Sequence, residues 1–177
     1  MDLDLSIIVV NWNVCELLRR CLASIEANRG DLSLEVIVVD NASSDDSVPM
    51  VEQEFPQVHL IASRENLGYT GGNNLGLKEA GGRCLLILNP DTEIVGHALE
   101  HMVTYLDSHP AVGAVGPQLL NPDGSVQSSR RRFPQLLTAF FDSGTSFSMR
   151  WFPNNRFERA YFMADSPDDK VQCSWEI

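Results

Sequence analysis

The sequence predicts an α/β fold in which a mostly parallel central sheet is flanked by helices. Three observations indicate this class. Short apolar runs rich in β-branched residues alternate with amphipathic helical patterns, the runs are continuous rather than alternating, and several end in polar residues. Continuous apolar runs are typical of strands covered on both faces, and alternation of strand and helix joins parallel strands by right-handed crossovers.

The first elements follow in chain order. Residues 5–10 form a continuous apolar strand, and apolar residues at helical spacing over residues 14–25 predict a helix that packs on the sheet. Residues 36–39 supply a second buried strand. The polar run 43–46 offers N-cap side chains for the next helix, and residues 58–61 predict a short third strand.

The following elements continue the alternation. Residues 69–80 predict a helix, although its three glycines weaken its helical propensity, and Gly81-Gly82 ends it. Residues 84–88 predict a fourth buried strand, residues 98–106 another amphipathic helix, and residues 112–115 a fifth strand.

The pattern changes after about residue 120, and this change sets the predicted domain division. We expect a ligand-binding core over residues 1–133 and an aromatic-rich loop or small subdomain over residues 134–177. Residues 171–177 restart a strand-like run that then stops. We therefore expect the chain to be truncated at its C-terminus.

Composition and charge exclude several classes of function. The 177 residues suit one domain with a sizeable core, and 44% hydrophobic with 21% charged residues is ordinary globular composition. A formal net charge of −11 argues against a broad nucleic-acid surface, so no nucleic-acid partner is expected, while a small anionic ligand stays compatible with it. The four cysteines lack CxxC spacing, which indicates reduced thiols.

The N-terminus and the hydropathy pattern predict a cytoplasmic location. The chain opens with the acidic residues Asp2 and Asp4 and shows no signal peptide, and no apolar stretch approaches the ~20 residues that span a bilayer. A place at the inner face of the membrane is compatible with this pattern.

Three predicted strands end in polar residues. Asn11-Trp12-Asn13 follows the first strand, Asp40-Asn41 the second and Asn89-Pro90-Asp91 the fourth. Ligands of open α/β sheets bind outside the carboxyl ends of the strands. These residues therefore predict a cleft at one sheet edge, where the chemistry is expected.

Each polar strand end has a functional and a purely structural interpretation. In the functional interpretation, Asp91 binds a divalent cation that bridges two phosphates. In the structural one, it is a turn residue or the N-cap of the helix that starts near His97. Asp40 suits hydrogen bonds from a base or ribose, or a turn closed by its own side chain. Trp12 suits stacking on a nucleobase, or a place in the core. The residues alone leave these alternatives open.

The stretch 64–74 is rich in glycine and asparagine and opens a predicted helix. Glycine lets the backbone approach a ligand closely, and asparagine both donates and accepts hydrogen bonds. The stretch is neither a Walker P-loop nor a GxGxxG fingerprint. It favours a ligand site of another kind over a plain loop.

Five motifs occur in order between residues 5 and 134. They are Ser6-Ile7-Ile8-Val9-Val10-Asn11-Trp12-Asn13, Val38-Val39-Asp40-Asn41-Ala42-Ser43-Ser44-Asp45, Asn66-Leu67-Gly68-Tyr69 with Asn73-Asn74-Leu75-Gly76, Leu88-Asn89-Pro90-Asp91-Thr92, and Gly116-Pro117 with the run from Gln127 to Pro134. In this order and spacing they resemble the family 2 glycosyltransferases, especially the bacterial rhamnosyltransferase-like branch that builds cell-surface polysaccharides. The resemblance implies the GT-A fold, a Rossmann-like nucleotide-diphospho-sugar transferase fold.

The resemblance also implies roles for individual residues. Trp12 matches the aromatic residue beside the base, and Asp40 the acid that reads the base or ribose. Asn89 and Asp91 take the first and last places of the DxD motif, with one negative charge fewer at Asn89, so that Asp91 would hold Mg²⁺ or Mn²⁺ against the diphosphate. The implied donor-binding set is Val10, Asn11, Trp12, Asp40, Asn41, Asn66, Gly68, Gly72, Asn73, Asn89 and Asp91.

The implied chemistry is inverting transfer from a nucleotide-sugar donor. An acceptor hydroxyl attacks the anomeric carbon in line, the nucleoside diphosphate leaves, and a metal ion neutralises the developing charge. The family's general base is an aspartate downstream of a Trp-containing stretch. Ser174-Trp175-Glu176-Ile177 resembles the start of that stretch. We therefore expect the base beyond Ile177, and this chain to be incomplete for turnover.

The resemblance implies partners as well. We expect a dTDP- or UDP-linked donor, with rhamnose as the candidate sugar, and a saccharide or lipid-linked acceptor. Arg130-Arg131-Arg132 fits a solvated basic patch, or a cation that meets the diphosphate when the following loop closes. The aromatic-rich segment 134–177 is compatible with a cover for the cleft, peripheral membrane association or a homo-oligomer.

Two other functions compete with this one. A nucleotidyltransferase would place a glycine-rich loop bearing Arg or Lys after the first strand, where Val14-Cys15-Glu16 stands instead. A non-catalytic binding or assembly module predicts no nucleotide affinity and no effect of Asp91→Ala on binding.

Overall fold

A computed structural model of the chain describes residues 3–127. The predicted alternation of strands and helices is confirmed over residues 5–108. The elements in chain order are β1 (Leu5–Asn11), α1 (Cys15–Ala27), β2 (Leu34–Asp40), α2 (Ser47–Glu54), β3 (His59–Ala62), α3 (Gly68–Glu79), β4 (Cys84–Leu88), α4 (Ala98–Ser108), β5 (Leu119–Leu120) and β6 (Val126–Gln127).

The main sheet contains β1 to β4, all parallel, in the order β3-β2-β1-β4. β1 lies between β2 and β4, and all 7 of its residues are buried. The prediction of a strand covered on both faces is therefore confirmed for β1. Because the strands are parallel, their carboxyl ends lie at one edge of the sheet.

Helices cover both faces of the sheet. On one face, β1 residues such as Ile7 and Val9 share a core with buried residues of α1, α2 and α4. On the other face α3 packs over β1 and β2, where Val10, Ile37 and Val39 form a smaller core. Completely burying a side chain of this size contributes about 1.5–3 kcal/mol, so these two cores position the strands.

Two glycines set the distance between α3 and the sheet. A Cβ added to Gly76 would lie 2.6 Å from Ile8 Cγ2, and one added to Gly72 would lie 2.8 Å from Val10 Cγ1. Both distances are far below van der Waals contact, so a side chain at either position would push the helix away from the sheet. The glycines that weaken helical propensity are needed for packing.

A polar network joins three segments at the amino edge of the sheet. The buried Ser6 hydroxyl donates to Glu35 Oε1 at 2.6 Å and accepts from the Gly82 N–H at 2.7 Å. The Gly81 N–H donates to the same Glu35 oxygen at 2.8 Å. The connection between α3 and β4 is thereby tied to β1 and β2, at the edge opposite the polar strand ends.

The predicted fifth strand is wrong. Residues 112–118 adopt no regular structure and do not join the four-stranded sheet. Gly113 and Gly116 bring no side chains to pack, and Pro117 has no N–H for a sheet ladder, which disfavours a strand at this place. β5 and β6 instead pair with each other as a short antiparallel hairpin.

The prediction of a fully buried fourth strand is also wrong. β4 stands at one end of the strand order, and its Leu85 and Ile87 side chains are 55% and 46% exposed. They lie on the face where α3 packs over β1 and β2. A continuous apolar run identifies the strand but not how many neighbours cover it.

The chain divides into two units, Met1–Pro117 and Gln118–Ile177. Of the second unit, the structure describes residues 118–127. The boundary predicted at residue 133, Arg130-Arg131-Arg132 and the aromatic-rich segment all lie outside the described residues. Within residues 3–127, no helix is both long and apolar enough to cross a bilayer.

Candidate functional site

The sheet brings the three predicted polar strand ends to the same edge. Asn11 and Asp40 are register partners at the ends of β1 and β2. On the other side of β1, Leu88 of β4 pairs with Val9, so Asn89 follows at that edge. This is the carboxyl edge, where α/β sheets bind ligands.

A buried pair of side chains forms the floor of this edge. Asn11 Nδ2 donates to Asp40 Oδ1 at 2.8 Å, and Asn11 is completely buried while Asp40 is 2% exposed. The Ser43 N–H donates to Asp40 Oδ2 at 2.9 Å, so the turn predicted as the structural alternative is present. Each carboxylate oxygen has a second lone pair, and Asp40 can therefore still accept a ligand donor.

The loops after β1 and β2 are hydrogen-bonded to each other. Asn13 Oδ1 accepts from the Ser44 N–H at 2.7 Å and from the Ser44 hydroxyl at 3.2 Å. Ser43 Oγ accepts from the Asn13 N–H at 2.9 Å and from Asn11 Nδ2 at 3.2 Å. Asp45 Oδ2 extends the contact by accepting from the Cys15 N–H at 2.9 Å, at the start of α1.

The side chain of Trp12 points away from the core and is 56% exposed. The interpretation of Trp12 as a core residue is therefore wrong. An exposed indole at a ligand edge retains a face on which a flat ring can stack.

The start of α3 contributes the asparagines of the glycine-rich stretch. Asn41 Nδ2 donates to the Gly68 carbonyl at 3.2 Å, and the Gly68 N–H donates to Asn66 Oδ1 at 2.8 Å. Asn73 Nδ2 donates to the Tyr69 carbonyl at 2.9 Å. These bonds fix the first turn of α3 against the end of β2.

Three buried amide oxygens at this part of the molecule have no hydrogen-bond partner among residues 3–127. They are the Oδ1 atoms of Asn11, Asn41 and Asn73. Buried acceptors are normally paired, so unpaired ones at a ligand edge are candidates for water or for donors of a bound molecule. Val10 and Gly72, by contrast, contact each other inside the packing of α3 on β1, and for them ligand contact stays a prediction.

The turn after β4 presents Asn89 and Asp91 to solvent. The Asn89 carbonyl accepts from the Thr92 hydroxyl at 2.7 Å and from the Cys21 thiol at 3.8 Å, which anchors the turn to α1. Burial raises the pKa of Cys21 to about 12, so the thiol stays protonated as a donor. α4 begins at Ala98, so the interpretation of Asp91 as its N-cap is wrong.

The residues present fit a cation that arrives with a diphosphate. Within the described part of the chain, no group of three or more His, Cys, Asp or Glu side chains could hold a metal ion by itself. Asp91 is a single exposed carboxylate in a turn. Mg²⁺ is commonly held by one or two carboxylates together with substrate phosphates and water, and a lone carboxylate suits that arrangement.

The sequence analysis counted Ser43 and Ser44 among the N-cap candidates of the second helix, whose N-cap is Asp46, and it assigned neither them nor Asn13 a contact between the two loops. The signal was present, because both strand ends continue into short polar strings. Their mutual contact depends on the register of β1 with β2, which the sequence does not reveal. The expected base beyond Ile177 and the Ser174 to Ile177 stretch lie outside the described residues.

A parallel sheet flanked by helices, with polar residues at its carboxyl edge, defines an α/β protein whose candidate ligand site lies at that edge. The model of the family described as "Glycosyl transferase family 2" matches residues 6–169, and the chain belongs to this family. Its fold is GT-A, as the solved structures it resembles also indicate. This confirms the fold and family that the motifs predicted.

Named relatives act in the synthesis of polysaccharides and related glycans. An N-acetylglucosaminyl-diphospho-decaprenol L-rhamnosyltransferase of Mycobacterium tuberculosis is 27% identical over 144 residues, which are 75% of this chain and 47% of the relative. The succinoglycan biosynthesis protein ExoO of Rhizobium meliloti is 31% identical over 152 residues, or 81% of this chain and 43% of the relative. The chain thus spans about half the length of these relatives.

A solved structure is similar over the same region. The mannosyltransferase PcManGT from Pyrobaculum calidifontis, in complex with GDP-Man and Mn²⁺, aligns with a TM-score of 0.60 at 28% identity. The alignment covers 67% of this chain and 36% of that one.

Proposed function

We propose that this chain is the donor-binding portion of a metal-dependent, inverting glycosyltransferase of cell-surface polysaccharide synthesis. It would transfer a sugar, with rhamnose as the first candidate, from a nucleoside-diphosphate donor to a saccharide or lipid-linked acceptor. The observation that carries the proposal is the placement of exposed Trp12, buried Asp40 and exposed Asp91 at one carboxyl edge. The rhamnosyltransferase relative supports the choice of sugar.

The nucleoside would occupy the part of the edge formed by β1 and β2. Trp12 offers an exposed aromatic face for the base. Asp40 is held by Asn11 and Ser43 and retains acceptor capacity for an N–H of the base or a ribose hydroxyl. Recognition of the nucleoside by Asp40 would give specificity, because an analogue without the donor group would lose this hydrogen bond.

The diphosphate would lie toward the turn after β4. Asp91 would hold the cation there, and the exposed Asn89 amide would contribute a neutral ligand or a ribose contact. A bound divalent cation supplies neutralisation of the charge that develops on the leaving diphosphate. Thr92 and Cys21 anchor the backbone of this turn at the Asn89 carbonyl, two residues before Asp91.

Calorimetric titration of UDP, dTDP and GDP into the chain, with Mn²⁺ or with EDTA, tests this proposal. We expect binding at least about tenfold tighter with Mn²⁺, a difference of about 1.4 kcal/mol, and loss of that difference in Asp91→Ala. Glu93→Ala is the matched control, because Glu93 is a nearby exposed carboxylate paired with Arg20 on the surface. Metal-independent binding, or an Asp91→Ala variant that binds like the parent, would contradict the proposal.

The same titration decides between the proposal and its main competitor. A non-catalytic assembly module with polar turns at its strand ends would bind none of the three nucleotides. The nucleotide that binds most tightly would also restrict the set of candidate sugar donors, because dTDP, UDP and GDP differ in the groups that would face Asp40 and Trp12.

A further inference from the structure

The loops after β1 and β2 form a specific contact that the donor-binding roles above do not use. We call Asn13, Ser43 and Ser44 the loop clasp. Three hydrogen bonds join it: Ser44 N–H to Asn13 Oδ1 at 2.7 Å, Ser44 hydroxyl to Asn13 Oδ1 at 3.2 Å, and Asn13 N–H to Ser43 Oγ at 2.9 Å. Asn13 therefore takes part in all three bonds of the clasp, with its side-chain oxygen in two of them and its backbone N–H in the third.

The backbone of both loops is shaped to make this contact. Asn13 has a φ of 55° and Ala42 a φ of 58°, and both lie in the left-handed region. Asparagine adopts this region more readily than most residues other than glycine. Asn13 is exposed and Ala42 is half-buried, and the cross-loop hydrogen bonds stabilise the left-handed conformation at Asn13.

Trp12 lies between two residues that are anchored to the β2 loop. Asn11 Nδ2 donates to Asp40 and Ser43 on one side, and Asn13 is held in the clasp on the other. The indole itself is 56% exposed. Its position is thus set mainly by the backbone of its neighbours and not by packing around its own ring.

We propose that Asn13 is a positioning residue that fixes Trp12 relative to Asp40 through the loop clasp. This inference rests on the proposed nucleotide site, in which the base lies against Trp12 while Asp40 accepts its hydrogen bonds. Pre-setting two contact groups before a ligand arrives reduces the ordering that binding requires. Loss of the clasp lowers affinity for the nucleoside part without touching Asp91.

Variants at Asn13 separate the amide from the backbone conformation. Asn13→Gly keeps the left-handed conformation and loses the amide, whereas Asn13→Ala loses the amide and strains the backbone. An effect common to both variants therefore arises from the amide. Asn13→Asp keeps an acceptor for the Ser44 N–H and hydroxyl and should restore the parent behaviour.

Two readouts are made in a background whose only tryptophan is Trp12, obtained with Trp151→Phe and Trp175→Phe. The first is the Kd of UDP or dTDP, whichever the parent binds more tightly. The second is the fluorescence anisotropy of Trp12 in the chain without ligand. For Asn13→Gly and Asn13→Ala we expect a Kd raised about tenfold, equivalent to about 1.4 kcal/mol, together with a lower anisotropy. Asn13→Asp should stay within about twofold of the parent Kd.

Asn28→Ala is a matched control that shows what the loss of a purely structural asparagine does. Asn28 Nδ2 donates to the Ser24 and Ile94 carbonyls at 2.8 and 3.1 Å, so Asn28→Ala also removes side-chain hydrogen bonds of an asparagine. This variant should lower the melting temperature and leave the anisotropy of Trp12 unchanged. If Asn13→Ala does not fold, Asn13→Gly and Asn13→Asp decide the inference, because glycine and aspartate both tolerate the left-handed backbone conformation.

The outcomes distinguish this inference from the proposed function. Unchanged anisotropy and Kd in Asn13→Gly, in a chain that binds nucleotide, overturn the inference and leave the proposed function standing. A parent chain that binds no nucleotide overturns the proposed function, and the anisotropy still decides whether the clasp fixes Trp12. Equal losses in Asn13→Asp and Asn13→Gly would also overturn the inference, because they exclude the acceptor oxygen as the cause.

Discussion

The side-chain amide of Asn11 donates to Asp40 Oδ1 at 2.8 Å, and the two residues are register partners at the carboxyl ends of adjacent strands. Both are buried, and apart from Ser6 the other buried residues of β1 and β2 are apolar. Buried polar groups are normally hydrogen-bonded, and here Ser43 pairs with Asp40 Oδ2 and Asn11 Nδ2, while Asn11 Oδ1 has no partner among residues 3–127. The pair therefore fixes both the strand register at the edge and the direction of the Asp40 carboxylate.

Asp40→Asn tests this arrangement. The new NH₂ group faces either Asn11 Nδ2 or the Ser43 N–H, which are both donors, and rotating the Asn11 amide to offer Oδ1 would break its bond to Ser43 Oγ. One hydrogen bond is therefore lost in a buried place. We expect a loss of about 1–3 kcal/mol in the free energy of unfolding, measured by urea denaturation, and weaker nucleotide binding. Asp31→Asn, at an exposed residue, should change stability by less than about 0.5 kcal/mol. An Asp40→Asn chain as stable as the parent would contradict this account of the pair.

Neighbouring glycines at the amino edge give a second prediction. A Cβ on Gly82 would lie 2.5 Å from the Ser6 backbone nitrogen, which cannot move away, whereas a Cβ on Gly81 would lie 3.6 Å from Glu35 Oε1 in ordinary contact. Gly82→Ala should therefore destabilise by about 1–3 kcal/mol, and Gly81→Ala by much less. Thermal or urea unfolding of the two variants measures the difference. Equal effects would show that the close approach to Ser6 is not what requires a glycine.

The pH dependence of stability should depend on Asp45. Burial alone would raise the pKa of Asp45, but hydrogen bonds from Ser47 and from the Cys15 N–H outweigh it and lower the pKa below its ordinary value of 3.8. Since the folded state holds the charged form more strongly, Asp45 stabilises the fold above the unfolded pKa. That contribution is lost as the pH falls through the lower folded pKa.

Urea midpoints of the parent and of Asp45→Asn, measured from neutral pH downward, test this sign. The parent should be the more stable at neutral pH, and the two curves should converge below about pH 4. Curves that run parallel over the whole range would show that Asp45 does not supply the acid dependence.

The apolar patterns of the sequence predicted where strands and helices occur better than they predicted which other elements cover each strand. The continuous runs of β1 and β4 look alike, yet β1 is buried on both faces while Leu85 and Ile87 of β4 are exposed. Hydrophobic periodicity reports the conformation of a segment, and the number of layers around it depends on the strand order. The same limit explains the wrong fifth strand, where a short apolar run interrupted by Gly113 pairs with no strand among residues 3–127.

The candidate site was predicted only in part, because its position follows from parallel strands while its contacts depend on the strand register. Polar residues directly after apolar runs indicated the carboxyl edge, because the edge follows from parallel strands alone. Gly72 was interpreted as a glycine near a ligand, and it packs against the sheet, as Gly76 does. The contact of Asn13 with Ser43 and Ser44 joins loops about thirty residues apart, which only the register of β1 with β2 brings together.

The central claim is that a nucleoside diphosphate and its cation bind at the carboxyl edge of the sheet, and paramagnetic broadening of amide signals tests it most directly. Spectra of the nitrogen-labelled chain with UDP or dTDP would be compared in Mg²⁺ and in paramagnetic Mn²⁺. We expect selective loss of the signals of Asp91 and Thr92, weaker loss at Asn13 and Ser43, and none at Gly81 and Gly82 on the opposite edge. Broadening that is uniform, or that centres on Gly81 and Gly82, would contradict the claim.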